Sequence, residues 1–272
     1  MPELPEVETI RLTLAPKLIG RTIQAGTVSH AKLVQNMPET QLLTELRGKE
    51  ITDLKRRGKY LLIKFTDGWT LTIHLRMTGQ LIVVPVTEPV ADATYFRLSF
   101  DNQTELRFRD QRKFGRVALF PQGQLSSGIE NLGPEPLDPQ FTIAVLTKQL
   151  SGRKLAIKKA LLDQTVIAGI GNIYADEALF VSGIHPARLV ESFTDPELAA
   201  LFAAIQQVLR EGIEYRGTTK RDYRTGDGAT GEYQNQLRVY GRKGLPCPKC
   251  GAPVLKMIFA GRGTHFCPLC QS

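Results

Sequence analysis

The sequence predicts an α+β fold, and three observations carry that prediction. Short β-type runs bounded by turn residues fill the chain through Phe120. Helical periodicity takes over after a proline-rich break at 133–139. All four cysteines then crowd into the last 26 residues. With 272 residues, the chain is long enough for two domains with separate cores.

Residues 5–19 read as a leading helix, because Val7, Ile10, Leu14 and Leu18 recur at helical spacing. Tyr60–Phe65 and Trp69–Leu75 flank Thr66-Asp67-Gly68, which is a hairpin signal. Tyr95–Phe100 and Thr104–Phe108 flank Asp101-Asn102-Gln103 in the same way, and Arg116–Phe120 reads as one more strand. Gly133–Pro139 places three prolines close together and reads as a stiff linker. Helices are expected near 141–150, 153–162, 172–182 and 195–214, followed by a polar, glycine-rich loop at 217–236. The expected division is therefore 1–132, linker 133–139, 140–236 and 237–272. No internal repeat is present.

Composition narrows the function classes. No apolar run approaches the roughly 18 residues of a membrane span, and no charged leader precedes an apolar stretch. A soluble, cytoplasmic protein is the expectation. The formal charge is +8, with Lys55, Arg56, Arg57 and Lys59 in one cluster and Arg107, Arg109, Arg112, Lys113 and Arg116 in another. Such clusters favour a polyanionic partner, DNA or RNA.

The cysteines form Cys247-Pro-Lys-Cys250 and Cys267-Pro-Leu-Cys270. Each pair can grip one metal from a tight knuckle, and the spacer is long enough for a β-hairpin. This is zinc spacing, whereas two disulfides would be out of place in a cytoplasmic chain. Four thiolates leave no open coordination position, so the expected Zn2+ is structural.

The chain starts Met1-Pro2-Glu3-Leu4-Pro5-Glu6. If Met1 is removed, Pro2 presents a secondary amine with a pKa of roughly 8, partly unprotonated at neutral pH and nucleophilic. Its attack on an aldehyde-level carbon gives an iminium, with Glu3 beside it to move protons. The competing reading is a helix start, which favours Pro and acids. Ala168-Gly169-Ile170-Gly171-Asn172 joins two helical patterns, with Asn172 where an N-cap is expected and two glycines that admit a phosphate to a helix N-terminus. A plain interhelical turn is the alternative.

At this point the motifs coincide with a family. Pro-Glu-Leu-Pro-Glu-Val-Glu-Thr at 2–9, Arg-Arg-Gly-Lys-Tyr-Leu at 56–61 and His-Leu-Arg-Met-Thr-Gly at 74–79 resemble bacterial formamidopyrimidine-DNA glycosylases. So do Asp-Gln-Arg-Lys-Phe-Gly at 110–115, Leu-Gly-Pro-Glu-Pro at 132–136, Gly-Ile-Gly-Asn-Ile-Tyr at 169–174 and Ala-Gly-Arg-Gly-Thr-His-Phe-Cys at 260–267. The resemblance implies a β-sandwich-like N-terminal domain, a helix-two-turn-helix domain and a zinc-finger β-hairpin. It also implies a monomer acting on damaged double-stranded DNA in base-excision repair, removing oxidised purines and then cutting the strand.

Residue by residue, the resemblance makes Pro2 the nucleophile, Glu3 its acid/base partner and Lys59 a second essential amine that donates a proton. Glu6 would sit behind the N-terminus. Met77, Arg112 and Phe114 match the triad that fills the space left by an extruded nucleotide. Arg262 matches a phosphate-gripping arginine linked to δ-elimination, while Arg153, Lys158 and Asn172 match further backbone contacts. His74 is a candidate phosphate donor. One departure stands out: Ala93-Thr94-Tyr95 replaces a His-x-His common in the family, leaving Tyr95 to substitute for one donor. An endonuclease VIII-type enzyme for oxidised pyrimidines is the nearest rival, and Leu4 with the full triad argues against it. A non-catalytic DNA-binding protein is the rival from another class.

Overall fold

The computed structural model describes residues 1–272. Two compact units divide the chain, Met1–Glu130 with Tyr215–Glu232, and Asn131–Glu214 with Tyr233–Ser272. The first unit opens with α1 (Leu4–Leu18), followed by β1 (Ile23–Val28), α2 (Glu39–Leu46), β2 (Ile51–Arg57), β3 (Tyr60–Phe65) and β4 (Thr70–His74). Next come β5 (Gly79–Pro85), β6 (Thr94–Phe100), β7 (Thr104–Asp110), β8 (Arg116–Phe120) and a single turn of helix, α3 (Ser127–Glu130).

These strands form two antiparallel four-stranded sheets, ordered β1-β6-β7-β5 and β2-β3-β4-β8. Leu81, Phe96, Leu98 and Phe108 from one sheet share a core with Leu61, Ile63, Ile73 and Val117 from the other. Val7, Ile10, Leu14 and Leu18 of α1 join the same cluster, which is the helical stripe seen in the sequence. The architecture is thus the β-sandwich-like domain with a leading helix that the sequence predicts.

The second unit holds α4 (Ile143–Leu150), α5 (Ile157–Leu162), α6 (Asn172–Val181), α7 (Asp195–Glu214) and the hairpin β9 (Leu255–Phe259) and β10 (Arg262–Phe266). Helix α6 packs on α5, α7 and β10. At its closest point the ring of Tyr174 lies where a side chain at 212 would be: a Cβ there would meet it at 2.6 Å, so Gly212 is required. Gly133 docks equally tightly, where a Cβ would strike the Thr165 carbonyl at 2.6 Å. Glu177 is fully buried and accepts the backbone N–H groups of Arg238, Val239 and Tyr240 at 2.8, 2.9 and 2.9 Å. Burial pushes its carboxyl pKa up against those three bonds. It anchors the segment that leads into the cysteine module.

The chain is grouped differently from the sequence-based division. Tyr215–Glu232 packs with the first unit, and the cysteine module belongs to the helical unit. The cause is visible in the contacts: Gly226 N–H donates to Thr13 Oγ1 at 2.9 Å, and Tyr223 is buried against α1.

Candidate active site and zinc centre

Helix α1 begins the candidate site. Its N-cap is Glu3, with Pro5 in the first turn, and a capping box joins Glu3 to Glu6 through a 2.8 Å bond from the Glu3 N–H. Pro2, Glu3 and Glu6 are all buried, while Met1 is half exposed. The other oxygen of Glu6 accepts the Thr218 N–H at 2.8 Å, so the 215–232 segment is tied to the start of α1. The hydroxyl of Tyr223 lies within hydrogen-bond distance of the carbonyls of Glu6 and Arg216, at 3.3 and 3.0 Å.

Lys59 is buried at the second position of the two-residue loop joining β2 to β3. Gly58 ahead of it has φ 54°, the positive value that a type II′ loop needs at its first position. His74, at the end of β4, is 7 % exposed. Burial, reinforced by the charges of Arg76 and Lys59, holds its pKa down at about 3. Its Nδ1 accepts the Arg76 N–H at 3.0 Å, which leaves Nε2–H as the donor of a neutral imidazole.

Met77 and Phe114 would be strand-core residues if read by pattern alone. Met77 instead lies in the turn between β4 and β5 and Phe114 in the loop between β7 and β8, each 44 % exposed. Arg112 joins them: its Nη1 is 3.0 Å from Met77 Sδ, and its guanidinium carbon lies 4.8 Å from the Phe114 ring centroid. The frame beneath is Asp110, 1 % exposed at the end of β7. Its carboxylate accepts the Gly115 N–H at 2.7 Å, the Arg112 N–H at 3.2 Å and the Thr78 hydroxyl. Gly115 is obligatory, because a Cβ there would lie 2.4 Å from the Phe108 ring. The Asp110 N–H donates to the carbonyl of Ala93, which has φ 61°, and Lys113 stacks over Tyr95 at 5.1 Å.

In the second unit, the four cysteine sulfurs lie within 4.8 Å of one another. The Cys247–Cys270 and Cys250–Cys267 separations are 3.9 and 3.5 Å. A tetrahedral zinc with Zn–S bonds of about 2.3 Å requires sulfur–sulfur edges of about 3.8 Å, so the cluster fits the ion. The hairpin it supports turns through Ala260 and Gly261, both at positive φ (51° and 69°), as a type I′ loop demands. Arg262 is exposed immediately after that turn. Asn172 does not cap α6, as the sequence suggests; Gly171 holds that position, and the Asn172 amide donates to the Gly263 carbonyl at 2.9 Å. Arg153 is half-buried, its Nε donating to the Gln149 carbonyl at 2.7 Å.

Lys158 is a correction. It is 0 % exposed, its ammonium donating to Asp176 at 2.6 Å and to Thr264 at 2.7 Å, so it cannot reach a phosphate. Its place is behind the hairpin, where Asp176 also accepts the His265 N–H at 2.9 Å. The basic clusters divide in the same way. Arg107 is 1 % exposed and spends its guanidinium on Glu105 and two carbonyls, and Arg56 turns to Glu8, whereas Arg112 and Lys113 face solvent. No helix is long and apolar enough to cross a membrane.

A β-sandwich-like unit and a helical unit ending in a four-cysteine hairpin define the class: a two-unit zinc-finger protein. Family models for the formamidopyrimidine-DNA glycosylase N-terminal domain, its H2TH domain, and the zinc finger found in FPG and IleRS match residues 1–117, 132–224 and 244–272. The formamidopyrimidine-DNA glycosylases of Herpetosiphon aurantiacus and Pelotomaculum thermopropionicum are each 46% identical, covering 100% of this chain and 100% and 99% of their own lengths. The chain belongs to the formamidopyrimidine-DNA glycosylase family. A Lactococcus lactis FPG mutant bound to Fapy-dG containing DNA superposes with a TM-score of 0.94 at 36% identity over 100% of both chains. MutM (FPG) from Thermus thermophilus gives 0.90 at 40% identity, covering 99% of this chain and 98% of that one.

Proposed function

We propose that this enzyme excises oxidised purines, 8-oxoguanine and formamidopyrimidines, from duplex DNA and then cuts the resulting abasic strand. The observation that carries the reading is the trio Met77, Arg112 and Phe114. Two large apolar side chains, each 44 % exposed, flank a guanidinium that faces solvent. A DNA stack opened by extrusion of one nucleotide offers them a partner: Met77 and Phe114 replace lost stacking, and the fork of Arg112 meets the base left unpaired.

The chemistry follows from the start of α1. With Met1 removed, the nitrogen of Pro2 attacks the sugar C1′ and the damaged base leaves with the glycosidic bond electrons, protonated by Lys59. The ring oxygen departs from C1′ as Glu3 supplies its proton, and the Pro2 nitrogen forms the iminium. That cation acidifies C2′. Loss of a C2′ proton expels the 3′ phosphate, and a further proton loss expels the 5′ phosphate with help from Arg262. Water then frees Pro2. Asn172, Arg153, His74 and Tyr95 grip phosphates, His74 as a neutral donor. Zinc takes no part in these steps; it shapes the hairpin that carries Arg262.

Borohydride trapping tests this, because reduction freezes an iminium as a covalent adduct. The wild-type protein should trap on DNA containing 8-oxoguanine opposite cytosine, and Pro2→Gly should not. Trapping by Pro2→Gly at the wild-type level would overturn the nucleophile. Faster excision of thymine glycol than of 8-oxoguanine would reassign the enzyme to oxidised pyrimidines.

A further inference from the structure

Arg56 lies in the Arg-Arg-Gly-Lys motif, and the sequence gives it the same look as its basic neighbours. The structure separates them. Lys55 has a side chain 62 % exposed, whereas that of Arg56 is 11 % exposed and points toward α1. Its Nε donates to Glu8 Oε2 at 3.0 Å. Its Nη1 donates at 3.2 Å to the carbonyl of Gly58, the residue before Lys59.

Glu8 is itself held from both sides. Oε1 accepts from Arg11 Nε and Nη2 at 3.0 and 2.6 Å, and Arg11 Nη1 lies 3.4 Å from the Leu54 carbonyl on β2. Burial raises the Glu8 pKa, but the hydrogen bonds and charges of Arg11 and Arg56 outweigh it and bring it down, so the carboxylate is charged at neutral pH. Two arginines and one carboxylate therefore bolt the β2–β3 hairpin onto α1, the helix that Pro2 and its N-cap Glu3 lead into.

We infer that Arg56, with Glu8, is a positioning residue that sets Lys59 relative to the N-terminus of α1. This rests on the role of Lys59 in base release proposed above. Three features of the two-residue loop bear on where Lys59 sits: the strand register, the glycine ahead of it and the carbonyl of that glycine. Arg56 holds the third and ties it to α1 in one guanidinium. Lysine cannot replace it, because an ammonium is a point charge and the two acceptors lie at different angles from the side chain. Misplacement of a proton donor by about 1 Å is enough to cost up to roughly a hundredfold in rate.

The test compares two duplexes under single-turnover conditions, one carrying 8-oxoguanine opposite cytosine and one carrying a preformed abasic site. Arg56→Met should slow base excision by about thirtyfold while changing abasic-site cutting less than about twofold. Arg56→Lys should fall nearer to Arg56→Met than to wild type. Added to Lys59→Met, Arg56→Met should cost nothing further, because residues that act through one group are not additive. Equal losses on both duplexes, or an undiminished loss in the Lys59→Met background, would overturn the inference. Should Arg56→Met fail to fold by circular dichroism, Glu8→Gln carries the same comparison with its shape kept. If Lys59→Met excises 8-oxoguanine at the wild-type rate, the proposed role of Lys59 falls and this inference with it. If Lys59→Met is inactive in excision and Arg56→Met is normal, only the inference falls.

Discussion

The two parts of the molecule that reach outward are each organised by a buried aspartate, yet they are built differently. Asp110 frames the turns carrying Met77, Arg112 and Phe114 using neutral donors alone: two backbone N–H groups and the Thr78 hydroxyl. Asp176 frames strand β10 of the zinc hairpin using a cation, the buried ammonium of Lys158, together with the His265 N–H. The first frame lies on the end of a strand inside a sheet with a large core. The second supports a hairpin whose first strand, β9, has no fully buried residue. Where the local core is thin, stability has to come from metal and charge; where it is deep, hydrogen bonds suffice to shape a turn.

Zinc is where that contrast should show the largest effect. Structural zinc in small fingers contributes on the order of 10 kcal/mol to folding. Cys267→Ala should therefore release the ion to a chromophoric chelator, erase hydrogen-exchange protection across 255–266 and lower DNA affinity more than about a hundredfold. Protection across β3 and β4 should be unchanged. A variant that binds DNA normally would show that the hairpin is held by the Lys158–Asp176 pair and not by metal.

The next effect in size belongs to that pair. Lys158→Ala leaves Asp176 buried without its cation, at a cost of about 3–5 kcal/mol. Thermal melting should drop accordingly, and the double change Lys158→Met with Asp176→Leu should recover most of the loss, since an apolar pair needs no compensation. If Lys158→Ala melts like wild type, the buried pair is not what secures β10. Asp110→Ala should cost less, about 2–3 kcal/mol, because each donor it strands is a neutral group and carries no charge. Its clearer signature is faster proteolysis in the 111–115 turn with the sheet intact. Unchanged proteolysis would mean that the turn is shaped by the Phe108–Gly115 packing alone.

How much of this was legible in the sequence follows from the same physics. Helix α1 and, in the second unit, α4, α6 and α7 stood out because each runs for two turns or more, whereas α5 has six residues and starts at Ile157, short of the expected 153–162. β1, β2, β5 and α2 did not. β1 carries Ala25 and Gly26, β5 runs from Gly79 to Pro85, and β2 ends in Lys55-Arg56-Arg57, whose charges read as a binding cluster and hid a strand. The zinc site was legible from spacing because two knuckles are local. Lys158 was not, because nothing in Ile157-Lys158-Lys159-Ala160 distinguishes the buried lysine from its neighbour until Asp176 and Thr264 are brought to it. Asp110 carried a usable signal, as an acid opening a tight turn, the position where a short carboxylate caps backbone amides.

His74 gives the smallest effect at neutral pH and the most diagnostic one in acid. It is neutral in the folded protein because its pKa is held at about 3, while an ordinary histidine in the unfolded chain titrates near 6.5. Between those values the unfolded chain takes up a proton that the folded one refuses. Stability therefore falls as pH drops through that window and is independent of this group above it. The slope is about 1.4 kcal/mol per pH unit at most, so the penalty at pH 5 is of order 2 kcal/mol and nearly zero at pH 7.5. Denaturant melts of wild type and His74→Gln should thus run at a fixed offset above pH 7 and converge as the pH is lowered toward 5. An offset that stays constant to pH 5 would mean that the folded imidazole protonates normally, and His74 would then grip phosphate as a cation. Convergence would leave His74 a neutral donor down to pH 5.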